Sequence, residues 1–264
     1  MKTTSTQAFT LVEVSVSSAI TSLIGYVLYL VFMNGTVLYA KNTAINSAHQ
    51  QARIAVMKIE DNIHRCVSVP QLVDSNRATV TGNGPAAGIA FHRFAGGPHQ
   101  ISPGSYTANT VTIILNGAAP KVNQRLNIPT HFTEAYITQV SGTGSTRTLT
   151  LATNVGNPIN TKLNGSEVNI SCFTTELQTY TVVNSELRFY PSYNSATYSR
   201  MADGITTLKP FQIPLTATGS AYNRFVAAIN LSTSDKNSSK RGFRAANMFI
   251  NSQVPYRVRL TDTQ

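Results

Sequence analysis

From Val14 to Ala40 the chain carries no charged residue. Wound as a helix at 1.5 Å per residue, this run is about 40 Å long, more than the roughly 30 Å of a bilayer's hydrocarbon core. The residues ahead of it, MKTTSTQA, are short and polar, with one charge at Lys2. A secretory signal has an apolar region of about 7–15 residues closed by a small-residue cleavage site. This run is far longer, and Leu38 before Ala40 breaks the small-residue pattern. A lipoprotein signal needs a cysteine, and none occurs before Cys66. A plain single-span anchor accommodates the run but leaves Glu13 unexplained. That carboxylate stands at the membrane end of FTLVEVSVSSAITSLIGYVLYLVF, where a charge at depth costs about 2.5–3.5 kcal/mol or more. It reads either as a functional intramembrane acid or as an interfacial first-turn acid favoured by the helix dipole.

The helix does not stop at the apolar run. Pro70 is the first proline. Beyond Lys41, Ile45, Ala48, Ala52, Val56, Ile59, Ile63 and Cys66 recur every three or four residues, an amphipathic stripe. Asn42, Asn46, Gln50, Arg53, Glu60, Asp61 and Arg65 fall mostly elsewhere. The pattern predicts one helix over 9–67, about 88 Å long. Its first part, 9–40, is suited to lipid or to other helices; its second part packs under a globular head. Gly25 and the pair Asn34-Gly35 weaken it by about 1 kcal/mol per Gly. They permit either bending or close helix packing in lipid, and both readings stay open.

Residues 68–264 are rich in Thr, Val, Ile and Tyr. Short alternating runs predict strands at Ala87–Phe94, Thr110–Leu115, Ala135–Val140, Arg147–Ala152, Val168–Thr174, Gln178–Val183, Glu186–Tyr190, Phe225–Leu231 and Tyr256–Leu260. Gly82-Asn83-Gly84-Pro85, Gly96-Gly97-Pro98, Ser141–Ser145 and Asn184-Ser185 read as turns between them, and Thr233–Arg241 as a polar surface loop. The fold class expected is α+β: a long N-terminal helix packed on an antiparallel β-rich head.

Only 12% of residues are charged, about half the usual share, yet the net charge is +10. The densest basic stretch is Lys236, Lys240, Arg241, Arg244, Arg257 and Arg259. Such a balance suits anionic partners, among them DNA, lipid headgroups and cell-surface polymers, but equally serves solubility. The two cysteines, Cys66 and Cys172, lie in no CxxC, which excludes zinc-ribbon and thioredoxin readings. Outside the cytoplasm they are free to form a disulfide worth roughly 4–5 kcal/mol; the alternative is two separate buried thiols. The histidines His49, His64, His92, His99 and His131 form no HExxH, and no GxSxG, phosphate-binding Gly loop or EF-hand occurs. Asp203, Asp235 and Asp262 are scattered, which disfavours calcium. The expectation is a non-enzyme with no catalytic residue, metal or cofactor. A membrane-anchored enzyme would need a side-chain constellation that the sequence does not advertise.

Ala8-Phe9-Thr10-Leu11-Val12-Glu13 resembles the prepilin peptidase motif of the type IV pilin-like family, a small residue followed by F-T-L-[IVL]-E. Gly is usual where Ala8 stands. The resemblance implies a leader, 1–8, cut between Ala8 and Phe9, then N-methylation of Phe9 by a prepilin peptidase. It implies a long helix over 9–67 and a head over 68–264. Glu13 becomes the assembly residue, pairing with the Phe9 amine of its own or a neighbouring subunit. The chain would sit in the inner membrane as a single pass with its head outside the cytoplasm, then join other pilin or pseudopilin subunits in a type IV pilus or a type II secretion pseudopilus. The head's size and the segment Arg53–Ile63 are most similar to minor PilW-like pilins and J-type pseudopilins. Within the same scaffold, an adhesin or DNA-uptake subunit with a basic head is the alternative.

Overall fold

The computed structural model describes residues 10–82, 84–107, 109–129, 133–152, 170–213, 225–233 and 248–256. Its contacts divide the chain into two compact units, Met1–Ser47 and Ala48–Gln264. One helix, α1 (Leu11–His64, 54 residues), contributes to both. It is long and apolar enough to cross a membrane. In the first unit every residue from Leu11 to Thr36 is exposed. The helix ends before the expected Val67. The Arg65 N–H donates to Asn62 O at 3.2 Å and the Cys66 N–H to Ile63 O at 3.1 Å, tightening the last turn. The Val67 N–H then donates to His92 O at 2.8 Å, so the chain has already joined the sheet. Pro70 bars any return to helix.

The second unit is antiparallel β-rich, as the alternation predicts. Its strands are β1 (Gln71–Val73), β2 (Gly88–Tyr106), β3 (Thr110–Ile114), β4 (Arg125–Ile128), β5 (Thr133–Ser141), β6 (Thr146–Leu151), β7 (Ser171–Val183), β8 (Glu186–Tyr190), β9 (Ser199–Asp203), β10 (Phe211–Gln212), β11 (Phe225–Thr233) and β12 (Met248–Tyr256). The first nine form one sheet in the order β1-β2-β3-β6-β5-β4-β7-β8-β9, and β7 also pairs back to β2. The strands β2-β3-β6-β5-β4-β7 therefore close into a ring. Its interior is a core of Ile101, Val111, Ile113, Leu126, Ile137, Leu149 and their neighbours. Closure removes the free edges that an open sheet exposes. A separate sheet, β10-β11-β12, joins a second core, which holds Ala55, Val56, Ile59 and Ile63 of α1 against Ile89, Phe91, Tyr180, Leu187 and Ile229.

The long strands β2 and β7 serve both cores, and glycine lets them. Gly96-Gly97-Pro98, expected as a turn, lies inside β2, where the register to β7 shifts at Phe94/Gly96 and again at Gly96/His99. A Cβ at Gly96 would stand 2.6 Å from Ala118 O; at Gly97, with φ 117°, it would stand 3.0 Å from Cys172 O. The glycines thus make a bulge that bends the strand from one core into the other. The expected strands Val168–Thr174 and Gln178–Val183 are one continuous β7 across the described positions. Of the expected Tyr256–Leu260 strand, Tyr256 closes β12 (Met248–Tyr256), and 257–260 lie outside the described residues. Positions 234–241 of the expected polar loop lie outside them too, and Thr233 closes β11.

Candidate functional site

Ala8 and Phe9 lie outside the described residues. Thr10 and Glu13 open α1 as a reciprocal cap. The Glu13 N–H donates to Thr10 Oγ1 at 3.3 Å, while Glu13 Oε2 accepts from the Thr10 N–H at 2.9 Å and from its hydroxyl at 3.0 Å. This T-x-x-E capping box satisfies donors that a helix start leaves without partners. The signal stands in the sequence, and it places Glu13 in the first turn of α1.

The run that follows presents an apolar surface on every side, with Leu11 84% and Phe32 69% exposed. Four of its hydroxyls are turned inward on the backbone. Ser15 donates to Leu11 O, Thr21 to Ser17 O and Ser22 to Ser18 O, each at 2.8 Å, and Thr36 to Met33 O at 2.9 Å. A hydroxyl satisfied this way needs no water, which suits a medium without any. Gly25 and Gly35 stand open, with nothing within 4 Å of a built Cβ.

The disulfide left open above is not formed. Cys66 and Cys172 are free and buried. Cys66 bridges Arg93 at the head of β2, whereas Cys172 pairs with His99 beyond the glycine bulge. They belong to different cores. Burial pushes the Cys66 thiol up to about 11 and the Cys172 thiol up to about 12. His64 is exposed at the end of α1, His92 and His99 are buried in the sheet, and His131 lies outside the described residues. No cluster of three metal-ligating side chains occurs among the described residues.

Side-chain alternation along β2 and β7 divides their surface between two uses. Ile89 and its register partner Tyr180 enter the core beneath α1. Ala90 with Thr179, and His92 with Leu177, are also register partners and line the floor of a cleft of about 800 Å³. Arg125 and its cross-strand partner Tyr136 form one wall. Tyr193 stacks on Tyr136 with ring centroids 4.0 Å apart and planes 15° from parallel. Arg77 comes from a turn in which Asp74 Oδ1 accepts from the Asn76 and Ala78 N–H groups, both at 2.8 Å, and holds Arg77 at φ 70°. The Arg77 guanidinium stacks over Tyr190 and donates to Ser195 O at 2.9 Å.

His92 is neutral there. Burial, then the Arg125 charge, depresses its pKa to about 3. Its Nδ1 meets Thr175 Oγ1 at 3.2 Å, and that oxygen also accepts from Asn127 Nδ2 at 3.0 Å. Burial likewise raises the Tyr136 phenol, against the pull of Arg125. Sequence reasoning missed this cleft because its lining comes from separate segments with no shared motif. Compared with protein-family models, with curated proteins and with solved structures, the chain matches none.

Proposed function

We propose that the chain is a minor pilin or pseudopilin. Its leader is removed between Ala8 and Phe9, its apolar helix is held in the inner membrane, and assembly draws that helix into a filament of a type IV pilus or type II secretion system. The observation that carries this reading is the two-natured α1. Its first part is apolar and exposed, with four hydroxyls bonded back to the helix, and its second part is core. A surface like the first is a docking or lipid-facing surface. Glu13 and the new Phe9 amine lie four residues apart in the sequence, and they would share a helix face in a filament whose helix extends back to Phe9. In an apolar bundle, an ion pair between Glu13 of one subunit and Phe9 of the next would fix register, since a misplaced subunit leaves a buried charge unpaired.

Mass spectrometry of the N-terminal peptide from native membranes tests the processing step. A peptide beginning at N-methyl-Phe9 is expected; mature membrane protein beginning at Met1 would leave an uncleaved anchor and end the pilin reading. The assembly step is tested separately. Glu13→Ala should leave the protein in the membrane and deplete it from filaments about tenfold or more, as expected for an uncompensated buried charge. Normal incorporation would remove Glu13 from assembly. The net charge of +10 favours one second reading, an adhesin or DNA-uptake subunit on the same scaffold. Retention on DNA that falls with salt, measured on a chain beginning at Ala48, would support it.

A further inference from the structure

The cleft on the face of β2 and β7 away from α1 has a definite chemical character. Among the described residues its lining includes two arginines, Arg77 and Arg125, and no aspartate or glutamate. The remaining polar lining is hydroxyl and amide, including Asn76 and Ser192, and His92 adds an uncharged imidazole. Tyr193 is 37% exposed, with one face covered by Tyr136. The volume falls within the roughly 300–1,000 Å³ typical of small-ligand sites. A ligand that fits carries negative charge for the guanidiniums, many hydroxyls for the amides and hydroxyls, and a flat apolar face for a tyrosine ring. We propose that this cleft binds an acidic saccharide, its carboxylate met by Arg125 and Arg77 and one sugar ring laid against Tyr193.

The site is built before any ligand arrives. Arg77 is fixed by the Asp74 turn and by Tyr190, with one guanidinium nitrogen bonded to Ser195 O and the rest of the fork left to bind. Tyr193 is fixed by its stack on Tyr136. Preorganisation of this kind lowers the entropy lost on binding. The inference does not depend on the role of the apolar helix, because every wall of the cleft belongs to the second unit.

The test is isothermal titration calorimetry of the full chain in detergent micelles with a galacturonic acid trimer, its methyl-esterified form, inorganic pyrophosphate and a duplex DNA oligomer. The acidic trimer should bind, and esterification should weaken it about tenfold or more, the loss of a charge-assisted pair. Arg125→Gln should weaken it by a similar factor, and Tyr193→Ala about fivefold or more, the loss of a stacking face. Tyr193→Ala, at a half-exposed position, keeps the test valid if the Arg125 variant does not fold; an unchanged melting midpoint certifies it. No heat with the trimer at millimolar concentration would overturn the proposal, as would equal affinity for the ester or for Tyr193→Ala. Pyrophosphate or DNA binding more tightly than the trimer would overturn it in favour of a phosphate site.

Discussion

At the scale of single residues, the head holds its polar groups where burial changes their chemistry. His92 has an ordinary pKa near 6.5 when unfolded and one of about 3 in the fold. A depressed pKa contributes stability that is fully present above 6.5 and is lost as the pH falls towards 3. The difference corresponds to on the order of 5 kcal/mol. His99, whose pKa is also lowered by burial, acts in the same direction. Urea unfolding at pH 7 and pH 4 should therefore show a steeper acid loss for the native sequence than for His92→Gln; parallel losses would mean that His92 titrates normally. Asn62 illustrates what a sequence conceals at this scale. By spacing it falls on the apolar stripe of α1, three residues after Ile59 and four before Cys66, and it is buried there, donating to Tyr180 Oη at 2.5 Å and accepting from Arg93 at 3.3 Å. Both partners lie far along the chain, so no local pattern could announce them. The Thr10–Glu13 capping box, which sequence reasoning missed, has partners only three residues apart and so leaves a local T-x-x-E signal.

At the scale of elements, local periodicity was enough where an element is defined by its own face. The stripe Ala52, Val56, Ile59, Ile63 and Cys66 is buried as its spacing implies, and β3, β6 and β8 fall within a residue or two of the expected runs. The misses have local causes. Strands β1, β4 and β10 have two to four residues each, too few for alternation to register, and exist because longer strands supply their partners. Strand β9 is as long as β3 and β8, but Ser-Arg-Met-Ala-Asp contains no β-branched or aromatic residue. The second half of β2 was hidden because Gly96-Gly97-Pro98 carries turn chemistry; only tertiary contact with Cys172 and Ala118 reveals that the glycines make room rather than reverse the chain. The two roles predict different sensitivities. Gly97→Ala meets backbone at 3.0 Å and a left-handed φ, and should destabilise the fold by about 2–4 kcal/mol. Gly144→Ala, at φ 68° with open space around it, should lose only about 1 kcal/mol. Urea midpoints of the two variants measure the contrast; equal losses would show that the β2 bulge has room for a side chain.

At the scale of the molecule, the contact boundary at Ser47/Ala48 assigns the last part of α1 to the head. The sequence told which helix residues are apolar but not that they are the centre of a core, since that depends on β2, β7, β8 and β11 converging from distant positions. A chain beginning at residue 68 lacks Ala52, Ala55, Val56, Ile59 and Ile63 altogether. Removing even part of a buried Leu- or Ile-sized side chain costs about 2–5 kcal/mol, and a whole domain is stable by only about 5–15 kcal/mol. The barrel core contains none of these residues, but β2 and β7 run through both cores, so unfolding one withdraws the frame of the other. Cys172 reports the outcome. Its thiol is buried in the barrel and its pKa is pushed up to about 12, so it should resist a thiol reagent at neutral pH in the full chain and in a chain beginning at Ala48. In a chain beginning at 68 it should react as fast as in urea. If Cys172 instead stays protected there, the ring β2-β3-β6-β5-β4-β7 folds alone, and α1 with its core is an accessory docked onto a finished barrel.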